Sequence, residues 1–125
     1  SDAALGELRK AIVKLEKAFQ DGQIRRMVAE TAELYDIIGR GCRNAVIAGF
    51  IRSLQARVSY LRMTSMSAPN RHPQSLKEMQ NICAAIARRD AASAKKLSEL
   101  HVRRAAQTAF RVLNRRSVDA AVDNP

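Results

Sequence analysis

The sequence predicts an all-α fold, an antiparallel bundle of about five helices, and three observations carry that prediction. Ala, Leu, Arg, Lys, Glu and Gln dominate the 125 residues, and these side chains lose little freedom in a helix. Apolar residues recur every three or four positions and never in strict alternation, so no strand is signalled. Aromatic residues make up only 4% of the chain and tryptophan is absent, against an apolar share of 46%. One domain's worth of sequence is present, enough to bury a core and too short for two ordinary domains.

The first stripe is Leu5, Leu8, Ile12, Leu15 and Phe19, ended at Asp21-Gly22, where glycine can adopt the left-handed conformation. A second runs through Ile24, Met27, Val28, Thr31, Leu34, Tyr35 and Ile38 to the break Gly39-Arg40-Gly41. Asn44 is placed to cap a third helix carrying Val46, Ile47, Phe50, Ile51, Leu54, Val58 and Leu61. That stripe is the richest, which predicts a central helix. The stretch from Thr64 to Gln74 is dense in turn-favouring residues and predicts the one substantial loop. Ser75 and Glu78 then have the spacing of a capping box for a fourth helix through Met79, Ile82, Cys83 and Ile86. Asp90 caps a fifth, with Leu97, Leu100, His101, Ala105, Thr108 and Val112 on one face. Residues 1–116 form the predicted domain, and residues 117–125 lack a stripe and are expected to fray.

The surplus of 22 Lys and Arg over 12 Asp and Glu gives a formal charge of +10, but the arginines are scattered without aromatic interleaving. Solvated helix faces explain that pattern better than a nucleic-acid surface. Cys42 and Cys83 stand far apart without a CxxC partner and are expected to be small buried thiols in a reducing compartment. No apolar run approaches membrane-spanning length and no secretory leader is visible, so a cytoplasmic protein without membrane contact is expected.

Catalytic machinery is hard to assemble. Only His72 and His101 are present, and no phosphate-cradling glycine loop, nucleophile elbow or HExxH motif occurs. Glu30, Glu33 and Asp36 spread around their helix as a solvated face. An enzyme is not expected. Neither is a bound metal or other cofactor, because no third strong ligand accompanies Cys83 and His101. The second, fourth and fifth stripes nevertheless carry polar or adaptable groups midway, namely Thr31, Tyr35, Met79 and His101. A bundle core that admits such groups is where bundles hold ligands.

Three stretches in register resemble a known family, the C-terminal effector-binding (FCD) domain of FadR-type GntR transcription regulators. They are Leu34 through Asn44, Ser75 through Asp90, and Glu99-Leu100-His101-Val102. The match spans about residues 5 to 113. The resemblance implies a dimerising helical bundle that binds a small organic acid and thereby alters the grip of attached winged helix-turn-helix domains on operator DNA. That DNA-binding half is not among these residues, and the family domain's opening helix is expected to be missing too, since five helices are predicted here instead of six or seven.

Many members hold a divalent metal with one aspartate and three histidines. Carried across residue by residue, those places fall on Thr31, Tyr35, Met79 and His101, so only one ligand remains. The resemblance therefore implies a ligand-binding site lined by these four residues without metal, in which a carboxylate needs arginine or hydroxyl donors. Arg57, beside the third stripe, is one candidate donor. The alternative is a helical dimerisation module whose pocket has closed.

Overall fold

The computed structural model describes residues 1–122 and contains five helices: α1 (Asp2–Gln20), α2 (Ile24–Gly41), α3 (Ala45–Met66), α4 (Arg71–Ala87) and α5 (Ala91–Val122). No strand occurs among the described residues. The all-helical bundle is thus observed. In space α1 packs on α2 and α4, α2 on α3, and α5 on both α3 and α4, which closes the five helices into a ring of neighbours.

The connections are short, and at three of them the chain supplies a stop or a side-chain cap. Gly22 takes φ 69° after α1, a conformation that costs glycine little. The Asn44 side chain accepts from the amides of Val46 and Ile47, both at 3.1 Å. Asp90 accepts from the Ser93 amide at 3.0 Å. These are the caps the sequence predicts.

The core is a dry cluster contributed mainly by α1, α2 and α4. Leu15, Met27, Leu34 and Met79 are fully buried there, with Leu8, Phe19, Ile37 and Ile82 around them. At roughly 1.5–3 kcal/mol for each fully buried large apolar side chain, this cluster is the main stabilising element.

Several expectations are corrected. The predicted long loop shrinks to Ser67–Asn70, since α3 continues to Met66 and α4 begins at Arg71. The Thr64 and Ser67 hydroxyls donate to the carbonyls of Tyr60 and Thr64, so these turn-favouring residues end a helix instead of opening a loop. Pro73 fits the first turn of α4, where a missing N–H is tolerated. Ser75 consequently lies inside the helix, 1% exposed, and caps nothing.

Gly39 does not stop α2. A Cβ there would sit 3.4 Å from Ile51 Cδ1 and 3.6 Å from the Ala48 Cα, so this glycine lets α2 and α3 approach closely. The α3 stripe is not central either: Val46 and Phe50 are 81% and 64% exposed, and Ile47 and Leu54 are also exposed. Apart from Ala48, which packs on Gly39, only the C-terminal end of α3 is buried. Cys83 is buried as expected, whereas Cys42 is exposed. The segment 117–122, expected to fray, continues α5 as helix to Val122. Residues 123–125 of that predicted tail lie outside the described part.

Candidate functional site

The polar centre of the molecule is built on α4 and α5. Arg71 and Glu78 are two turns apart on α4, so their side chains share one face. Arg71 Nη1 and Nη2 donate to Glu78 Oε1 and Oε2 at 3.2 and 3.0 Å, a bidentate pair. His101 Nδ1 lies 2.7 Å from Glu78 Oε2. Arg104, one turn further along α5, reaches Glu78 Oε1 at 3.1 Å. The Arg71 and Glu78 side chains are 3% and 9% exposed.

Burial disfavours the Glu78 anion, yet the hydrogen bonds from Arg71, His101 and Arg104 together outweigh it and hold this carboxyl below its ordinary value. The His101 pKa is also pulled down, first by burial and further by the positive charges of Arg71 and Arg62, against the opposing pull of Glu78. Both directions agree on one protonation pattern. Neutral His101 donates its Nδ1 proton to an ionised Glu78, which leaves Nε2 as an acceptor.

Arg62, near the end of α3, is the second feature. Its Nη2 donates to Gln55 Oε1 at 2.6 Å, and its guanidinium carbon lies 5.5 Å from the centroid of the Tyr35 ring. Its Nη1 is buried without a hydrogen-bond partner. Burial lowers the Arg62 pKa and raises that of Tyr35, each partly offset by the other. A cation stacked on an aromatic face gains some stabilisation, but a buried N–H of a charged group still lacks an acceptor.

The four residues singled out from sequence fall into two environments. Thr31 and Met79 are packed tightly at 1% and 0% exposure, and the Thr31 hydroxyl donates to the Met27 carbonyl at 2.7 Å. Tyr35 is half-buried against the core under Arg62, and His101 belongs to the Glu78 cluster. Glu78 links them, since its charge reaches both Tyr35 and His101. None of the four lines the cavity between α1 and α2 or the one between α4 and α5. Arg57, the candidate carboxylate donor, points to solvent; Arg62, five residues on, occupies the interior instead.

The residues at the family's metal positions do not fit a divalent ion. A threonine hydroxyl already spent on a carbonyl, a phenol that burial keeps protonated and a thioether offer no anionic donor. Among the described residues no group of three or more His, Cys, Asp or Glu converges. Cys83 is no ready nucleophile: burial pushes its thiol up to about 11.

Sequence reasoning missed Arg71, Glu78, Arg104 and Arg62 as a set. Placing the start of α4 at Ser75 put Arg71 in a loop and used Glu78 as a cap. The findable signal was spacing: Gln55, Val58 and Arg62 follow the apolar face of α3, and Arg71 stands seven residues before Glu78.

Two cavities open on the surface of the bundle. One, about 280 Å³, is lined by apolar residues of α1 and α2 with Cys42, Ile86 and Arg89. The other, about 310 Å³, lies between the start of α4 and the later turns of α5.

The molecule is an all-α bundle with a charged, hydrogen-bonded centre, and helical bundles are a class of fold that builds its sites between facing helices. The family comparison makes this specific: the FCD domain model matches residues 1–104, and the chain belongs to that family, the effector-binding C-terminal domain of GntR/FadR-type regulators. No curated protein and no solved structure gives a match.

Proposed function

We propose that this domain senses a small organic acid without a metal and that the acid's carboxylate docks on Arg62. The buried, unpartnered Nη1 of Arg62 is the observation that carries this reading. Around it the interior holds the cations Arg62 and Arg71, with half-exposed Arg104, against the single carboxylate of Glu78. A carboxylate at Arg62 supplies the missing acceptor and corrects the imbalance. Tyr35 and His101 offer the phenol and the imidazole beside it, with Thr31 one turn before Tyr35 on α2 and Met79 in the core cluster against which Tyr35 packs. Met79 is unbranched and can repack to admit a ligand into a centre that is closed without one.

In this reading the domain works as a homodimer in the cytoplasm and controls operator DNA through a winged helix-turn-helix domain outside these residues. Val46, Ile47, Phe50 and Leu54 form an exposed apolar stripe on α3 at helical spacing, which suits a second copy. No helix among the described residues is long and apolar enough to cross a membrane.

A second reading keeps dimerisation and drops the ligand, favoured by the tight packing of Thr31 and Met79. Thermal unfolding with a panel of small organic acids, with zinc and nickel as separate arms, decides between them. An acid at about 100 times its dissociation constant adds roughly 2.7 kcal/mol, a shift of several degrees. The sensor reading expects such a shift with one acid, absent in Arg62→Gln and unaffected by metal. No shift with any acid favours the closed module, and a shift with metal alone overturns the metal-free site.

A further inference from the structure

The cavity of about 310 Å³ between α4 and α5 is lined by Arg71, Arg111 and Arg115 together with Asn70, Gln74 and Thr108, and no carboxylate faces it. Arg111 and Arg115 are one turn apart on α5, and like charges at that spacing repel. Neither makes a hydrogen bond or ion pair with another of the described residues. The third guanidinium is held differently: Arg71 is buried and clamped by Glu78, so its position is fixed before any ligand arrives. Gln74 accepts from Arg71 Nη1 through Oε1, which leaves its amide NH2 group available as a donor. The Asn70 side chain makes no capping bond to α4, so it too is uncommitted, beside the positive end of that helix.

We propose that this cavity binds the phosphate group of a small metabolite, at a site distinct from the carboxylate site at Arg62. Two exposed, unpaired guanidinium forks beside a fixed one match the several oxygens of a dianion, since arginine pairs with phosphate through two parallel N–H donors. The cavity is larger than a bare phosphate and stands at the lower end of small-molecule pockets, leaving room for the group that carries the phosphate. Arg71 belongs both to this cavity and to the Glu78–His101 cluster. An anion here therefore acts on the same buried carboxylate that neighbours the proposed effector site.

Inorganic phosphate and pyrophosphate, titrated into the 125-residue chain at constant ionic strength in an amine buffer, test the proposal by calorimetry and by amide shifts in NMR spectra. The expected result is saturable one-site binding, tighter for pyrophosphate, with shifts centred on Asn70–Gln74 and Thr108–Arg115. The double variant Arg111→Gln/Arg115→Gln weakens binding at least tenfold; both side chains are exposed, and circular dichroism checks that the variant keeps its fold. Arg62→Gln leaves phosphate binding unchanged, so failure here and failure of the organic-acid reading are separable. Non-saturating titrations, or equal affinity in the double variant, overturn the site. So does tighter binding of a duplex DNA oligomer that the same double variant abolishes, which assigns the two arginines to nucleic acid.

Discussion

The two halves of the α4 surface make an instructive contrast. Toward α1 and α2, Met79, Ile82 and Cys83 join a cluster of apolar side chains. Toward α5, buried Arg71, Glu78 and His101, with half-exposed Arg104 at their edge, are held together by charge-assisted hydrogen bonds. The first half is tolerant in detail, because apolar contacts are non-directional and can repack after substitution. The second is not, because each member leaves a stranded charge if a partner is removed. Stability on one side is a matter of volume, and on the other of stoichiometry.

The largest effect expected follows from breaking that stoichiometry. Glu78→Gln keeps the shape and removes the carboxylate of this cluster, and should cost about 3–5 kcal/mol in urea unfolding. A loss under 1 kcal/mol would show that Arg71 finds water instead. Leu15→Ala, on the apolar side, should cost about 3 kcal/mol through lost burial and a residual cavity. Its m-value should be unchanged, so the two losses can be compared directly.

Acid should act on the polar half and leave the apolar half untouched. His101 has a folded pKa below its ordinary 6.5, so the unfolded chain binds the proton more readily and stability falls as pH drops below about that value. Glu78, held below its ordinary 4.5, extends the loss to lower pH by the same sign. Unfolding midpoints between pH 8 and pH 5 should fall in the native chain, and His101→Gln should flatten that slope. A slope that survives in His101→Gln would place the titrating group elsewhere.

The smallest effect has the most diagnostic sign. Ser75 Oγ is buried with no partner, so Ser75→Ala should be neutral or stabilising by up to about 1 kcal/mol. If Ser75 were the helix cap its sequence context suggests, the same change would cost about 1 kcal/mol. Thermal unfolding of this one variant separates the two placements of the start of α4.

Much of the fold is legible without coordinates. The stripes of α1 and α2, the caps at Asn44 and Asp90 and the turn at Gly22 depend on neighbours within a few residues, where propensity and side-chain capping act. The family motifs are local in the same way, and they lead to Tyr35, Met79 and His101 as interior positions. The misplaced loop has a local cause too: Ser, Thr and Pro favour a turn and also the ends of a helix, and which applies depends on where α3 and α4 find apolar cover.

What tertiary structure alone decided is the pairing of charges. Seen along the chain, Arg62, Arg71 and Arg104 are three of many scattered arginines, indistinguishable from solvated ones. Packing α3, α4 and α5 together buries Arg71, half-covers Arg62 and Arg104, surrounds Glu78 and leaves Arg62 Nη1 without an acceptor. The same packing turns the apolar stripe of α3 outward, because the ring of five helices has only one interior and α1, α2 and α4 fill it. Periodicity states that a helix has an apolar face; only the competition among helices for a common core determines which faces are covered and which charges must find one another inside.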